Sequence, residues 1–142
     1  MRNLLLLLFI LSSLMSCKQD SSEVQLPSEI IQKLELVKNS SMIIVPKAKI
    51  ISNDDDIIVY KASKSGSEDD FYEGEVIITT DKDNNIRSVN YTTSNMMHGD
   101  ASEGFISFSG NIMLTEYNYS RFGRSQNIYL NGQKIYEHEY DD

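Results

Sequence analysis

Two dipeptides, Gly110-Asn111 and Asn131-Gly132, constrain the fold of this chain more than any other feature, because each is flanked by apolar and β-branched residues. Two-residue hairpin loops require positive φ angles, which Asn and Gly tolerate, so each dipeptide is expected to join two antiparallel strands. The spacing predicts strands at Gly104–Ser109 and Ile112–Tyr119 around the first, with Phe108 opposite Met113. It predicts Asn127–Leu130 and Gln133–Glu139 around the second, with Ile128 opposite Ile135 and Tyr129 opposite Lys134. A third hairpin, Tyr72–Thr80 with Ile86–Thr93, is expected across Asp81-Lys82-Asp83-Asn84-Asn85. The first and second hairpins in chain order begin alike, at Glu73-Gly74 and Glu103-Gly104, a faint internal similarity.

Upstream the pattern changes. Ile30, Ile31, Leu34 and Val37 recur at helical spacing, with Ser28 placed to cap and Glu29 in the first turn. Lys38 and Asn39 suit a helix end, so one amphipathic helix is expected over 28–39. Met42–Val45 and Lys47–Ile51 read as strands broken by Pro46, and Asp56–Lys61 as another, entered through Ser52-Asn53-Asp54-Asp55. Ser63–Asp70 reads as a polar loop. The expected class is mainly β (α+β): an antiparallel sheet of successive hairpins with one N-terminal amphipathic helix. Neither face of the strands is cleanly polar, since Phe105, Ile112 and Leu114 fall opposite Ile106, Phe108 and Met113. The helix can cover one side. The sheet then either stays open or curls into a partial barrel.

The N-terminus carries an address. Basic Arg2, the apolar run Leu4–Leu11 and small Ser16 before Cys17 meet the needs of a secretory leader, a positive start with about 7–15 apolar residues and a small residue at the cut. The run breaks at Ser12-Ser13, short of the roughly 20 residues needed to span a bilayer. Leu14-Met15-Ser16-Cys17 resembles the lipobox of bacterial lipoproteins, with Met15 larger than the usual occupant. That resemblance implies cleavage between Ser16 and Cys17, removal of the signal peptide 1–16, and acyl chains on Cys17, the sole cysteine. Two or three chains, at about 0.8 kcal/mol per buried methylene, hold a protein on a bilayer stably. In Gram-negative lipoproteins, which the leader resembles, an Asp after the cysteine commonly signals inner-membrane retention, so by that resemblance Lys18 implies sorting to the outer membrane, on its periplasmic or cell-surface face. Residues 17–27 are then a lipidated tether, polar from Lys18 to Gln25, and 28–142 a single β-rich globular domain.

Loss of the leader would remove one of 13 basic side chains, Arg2, and none of 21 acidic ones, moving the formal charge from −8 to −9. Such a field repels nucleic-acid phosphates and attracts basic proteins. No nucleic acid and no cofactor are expected; a basic protein partner is.

The candidate sites are few. Arg121-Phe122-Gly123-Arg124 is a basic and aromatic loop on an acidic chain, and Arg121, Phe122 and Arg124 are the residues expected to contact a partner. Asp81, Asp83 and Asn85 match the first three ligands of a calcium loop, but Ile86 stands where Gly is required and Thr92 where the bidentate acid belongs. Met96-Met97-His98 offers soft ligands for Cu(I) but an incomplete set, with one Met expected to face the core. Asp54-Asp55-Asp56 and Glu68-Asp69-Asp70 read as solvated acidic runs, and His138, alternating with Tyr136 and Tyr140, as a surface residue. No metal site is expected. No nucleophile elbow, zinc-binding helix or phosphate loop appears, so a non-enzymatic binding or structural domain is the leading expectation. The alternative is an envelope inhibitor or immunity protein that blocks a cationic enzyme such as a lysozyme or toxin. Small lysozyme-inhibiting lipoproteins are similar in size and acidity; their Ser-Gly-x-x-Tyr pattern is approached at Ser109-Gly110 but meets Met113. A helix leading into an antiparallel sheet also resembles small PepSY-type envelope modules.

Overall fold

In the computed structural model, which describes residues 22–37, 40–68 and 70–140, every strand pairs with its neighbours in sequence. The order is β1 (Glu23–Gln25), α1 (Ser28–Glu35), β2 (Lys47–Asn53), β3 (Ile58–Lys64), β4 (Tyr72–Thr80), β5 (Ile86–Asn95), β6 (Asp100–Ser107), β7 (Met113–Ser120), β8 (Gly123–Leu130) and β9 (Gln133–Tyr140). All pairings are antiparallel, and β1 and β9 remain edges. The sheet is open rather than a barrel.

Side-chain alternation sorts this sheet into two unlike faces. One carries the core: Ala48, Tyr60, Ala62, Val76, Ile78, Val89, Ile106 and Leu114 are buried with Leu26 and with Ile30 and Leu34 of α1. The helix is shorter than the expected 28–39. It ends at Glu35, and Pro27 rather than Ser28 is its N-cap, with no side-chain capping bond. Pro27 accepts Ile30 and Ile31 N–H through its carbonyl. Lys38 and Asn39 lie outside the described residues.

The segment 40–46 also departs from the expected strand. Met42–Val45 is apolar like a strand but forms none, because it runs across the strands instead of along one. Ser41 meets Glu116 of β7, its N–H donating to the carboxylate at 2.8 Å, and its carbonyl accepts from Thr93 Oγ1 of β5 at 2.9 Å. Ile43 lies over Gly74 of β4, and Pro46 accepts Leu26 N–H at 2.8 Å beside β2. Helix and strap together cover one face of the sheet. Glu116, 3% exposed, is the anchor, accepting from Tyr91 Oη as well as Ser41 N. Burial and this carboxylate raise the Tyr91 pKa, fixing the phenol as a donor.

Two registers differ from expectation. Gly110-Asn111 does not form a two-residue turn: Ser107 pairs with Met113, and residues 108–112 form the connection. This register puts Ile106 opposite Leu114, both buried; the expected one, slipped by a residue, would have turned Leu114 to the other face. Phe108 and Ile112 instead fold against the rim of the core. Asn131-Gly132 does form the tight turn, with φ of 48° and 80°, and Tyr129 pairs with Lys134 as expected. A bulge at Ile135 then sets Ile128 opposite Tyr136 instead of Ile135. The expected tether is ordered at its end, where Val24 of β1 pairs with Ala48 and packs on the core.

Candidate functional site

The face away from the helix and strap has no covering element among the described residues, and it is not the polar surface such a face usually carries. Cross-strand pairing lines up Ile77, Asn90, Phe105, Thr115, Ile128 and Tyr136 in one row from β4 to β9. The neighbouring row is Glu75, Thr92, Glu103, Tyr117, Gln126 and His138, and the next includes Glu73, Ser94, Tyr119, Arg124 and Tyr140. Met113 and Leu130 adjoin on the far side. Phe105, Met113, Tyr119, Leu130, Tyr136 and Tyr140 are all exposed.

Two adjoining hollows mark the centre of this face. One, of about 300 Å³, is lined by Ile77, Phe105 and Tyr117 with Glu75 and Glu103; the other, of about 340 Å³, shares those two carboxylates and adds Glu73 and Tyr119. Glu75 and Glu103 sit on either side of Thr92, so two strand spacings, about 10 Å, separate their backbones. Glu75 accepts from Lys61 at 2.7 Å, Glu73 from Ser94 Oγ at 3.0 Å and Glu103 from Tyr119 Oη at 2.6 Å. The Glu103 bond raises the Tyr119 pKa, so the phenol stays neutral while it orients the carboxylate. Flat apolar rings beside fixed carboxylates suit the stem and head of a Lys or Arg side chain, which buries its methylenes and keeps its charge at the rim.

The residues expected to make partner contacts are rearranged. Arg121-Phe122 is not a loop between hairpins but the two-residue turn of a further hairpin, since Ser120 pairs with Gly123. Ser120 Oγ accepts Phe122 N–H at 3.1 Å, and the Arg121 guanidinium stands 4.6 Å from the Phe122 ring centre. Phe122 is 84% exposed, the most exposed large apolar side chain among the described residues. Arg124 lies in β8, opposite Tyr119 and Tyr140 on the open face, and not on the tip. The tip overlooks a polar hollow of about 700 Å³ whose walls include Asp100, Asn118, Ser125 and Glu139. Ser16, Cys17 and the whole leader lie outside the described residues.

Asp81 uses its carboxylate to close its own turn, accepting from Asp83 N and Asn85 N at 2.9 Å each and from Asn85 Nδ2 at 3.0 Å. Those bonds, Asn85 first, hold its pKa below the ordinary value. The runs at 54–56 and 68–70 stand at opposite ends of β3, roughly 20 Å apart for seven strand residues, and Asp69 lies outside the described residues. Met96 and Met97 are both exposed in the β5–β6 turn, Met96 lying over Gly66, so neither enters the core. His138 is a surface residue whose ring meets Tyr140 edge-on at 4.5 Å. Among the described residues no three His, Cys, Asp or Glu side chains gather in a metal-binding group, and no helix is long and apolar enough to cross a membrane.

No family model matches the chain, and neither a curated protein nor a solved structure shows significant similarity to it.

Proposed function

We propose that this chain is a bacterial lipoprotein held at the outer membrane by acyl groups on Cys17, and that its β domain is a non-enzymatic module that binds a basic envelope protein. The observation that carries the binding reading is the uncovered sheet face, where Phe105, Tyr117 and Tyr119 surround Glu73, Glu75 and Glu103. Aromatic rings supply contact area at low entropic cost, and the carboxylates select positive partners. The acidic balance of the chain acts at longer range, accelerating encounter with a cationic protein at low salt. The anchor reading is supported by the leader and its lipobox alone.

Inhibition of a cationic enzyme is a second reading, favoured by the Arg121-Phe122 tip, an aromatic wedge braced by its own hairpin and shaped to enter a cleft. One experiment addresses both. The full chain, solubilised from membranes and immobilised, is exposed to envelope extract, and captured basic proteins are then bound singly at rising ionic strength. A module of this kind binds one basic protein stoichiometrically, with affinity that falls as salt rises. Inhibition adds loss of the captured enzyme's activity, relieved by Phe122→Ala. Capture that is indifferent to salt, or confined to acidic proteins, overturns the binding reading.

A further inference from the structure

The two edges of the sheet are unlike. β1 offers three residues, whereas β9 offers eight, Gln133–Tyr140, all exposed on both faces, with no strand beyond it among the described residues. An edge of that length leaves a row of backbone N–H and C=O groups free to pair with another chain. Sheets commonly blunt such edges with charge, and Lys134, Glu137 and Glu139 are charges of that kind. Their distribution is not neutral. Glu137 is directly opposite Asn127, and Glu139 opposite Ser125, on the helix side of the sheet, while Tyr136, His138 and Tyr140 stand on the open side. Lys134 is engaged with Glu137 at 2.8 Å, so acids dominate the helix-side half of the edge and rings the other.

That pattern disfavours one occupant and fits another. A second copy adding antiparallel about Glu137 or His138 would set Glu137 against Glu137 or Glu139 of its twin, and like charges directly opposite are destabilising. An extended segment alternating basic and apolar residues would instead set its cations across from Glu137 and Glu139 and its apolar side chains on Tyr136 and Tyr140. From these complementarities we propose that the outer edge of β9 takes up an extended basic segment of the partner protein as a tenth strand. The main chain supplies the hydrogen bonds and the alternating side chains the selectivity. This deepens the binding reading above and rests on it. The tyrosine row at Tyr136 and Tyr140 joins the new strand to the open face, so one partner would engage both.

The probe is a heptapeptide alternating lysine and valine, added to the purified full-length chain in detergent, with amide hydrogen exchange followed by mass spectrometry. Exchange within 133–140 is expected to slow at least tenfold while β4–β7 is unchanged. The same peptide with a central proline, or with glutamate for lysine, is expected to leave exchange in β9 as it was. Glu137→Lys with Glu139→Lys, both on exposed positions, should weaken the lysine peptide at least tenfold without shifting the melting temperature. Three results overturn the proposal: no slowing in 133–140, equal effect of the proline-broken peptide, or slowing that grows with protein concentration alone, which would assign the edge to a second copy. Should the Glu137/Glu139 double variant still capture the basic partner at full affinity while a Glu75→Gln/Glu103→Gln variant does not, the edge proposal fails and the binding module stands.

Discussion

Gly104→Ala should unsettle this domain far more than a one-methyl change in a strand suggests. A methyl at Gly104 would stand 2.3 Å from Cε1 and Cζ of Tyr91 and 2.4 Å from its Oη, where carbon atoms in contact ordinarily sit about 3.5–4 Å apart. The ring covers this glycine because the two residues are direct cross-strand partners on the core face. To make room the ring must shift by about an ångström, and Tyr91 is held in place by its bond to buried Glu116. Overpacking costs about 1–3 kcal/mol, and a weakened bond to a charged group about 1.5–3 kcal/mol. Removing a glycine from a strand returns roughly 0.5–1 kcal/mol. The net expectation is a destabilisation of about 3 kcal/mol, or a melting temperature lower by about 12 °C at about 4 °C per kcal/mol. Thermal unfolding followed by tyrosine near-UV circular dichroism measures it. Adding Tyr91→Leu should make the pair less damaging than the sum of the two single changes, since they share one contact. A Gly104→Ala variant that melts within about 2 °C of the parent would refute the close packing of Tyr91 on this strand.

Other consequences are open to direct measurement. Ile30→Ala removes a fully buried side chain that joins helix to sheet, and should cost about 2–5 kcal/mol in urea unfolding; a smaller loss would mean the helix is not seated on the core. Asp70, bonded to Lys64 and accepting Tyr72 N–H, and Asp81, closing its own turn, both titrate below the ordinary aspartate value of 3.8. The unfolded chain therefore takes up more protons in that range, so their contribution is complete above pH ~4 and fades as pH falls through the lowered values. Urea midpoints of Asp70→Asn and Asp81→Asn should converge on the parent's at low pH and fall below it near neutrality. Cys17→Ser should leave the domain folded yet abolish membrane retention after fractionation, and a variant that stays on membranes would contradict lipid anchoring.

Much of the architecture was legible from residues whose local demands are strong. Asn131-Gly132 announced a tight turn because few residues tolerate its positive φ, and the alternation of Tyr72–Thr80 announced a strand. What escaped was set by tertiary context. Met42–Val45 has strand composition because it is pressed across a sheet, a use that favours the same apolar side chains as pairing does. The connection at 108–112 took its length from the need to seat Ile106 against Leu114, not from Gly110-Asn111. The Arg121-Phe122 turn carries no glycine in its two central positions and so gave no hairpin signal. The open face was half visible: apolar side chains stood out on both sides of the strands, which called for cover on both and left an open sheet and a partial barrel equally admissible, and those on one side remain uncovered. Its best signal lay in Glu73-Gly74 and Glu103-Gly104, where each glycine marks the packed side of its strand and each glutamate the open side.

The measurement that bears most directly on the binding reading is the affinity of the captured basic protein for a Glu103→Gln/Phe105→Ser variant, by titration calorimetry at low salt. Glu103 and Phe105 line the same hollow and neither belongs to the buried core, so their replacement should leave the variant folded with only a modest drop in melting temperature. If the hollow seats the partner, affinity falls at least tenfold, about 1.4 kcal/mol. Undiminished affinity in a folded variant would contradict it and place the partner elsewhere on the molecule.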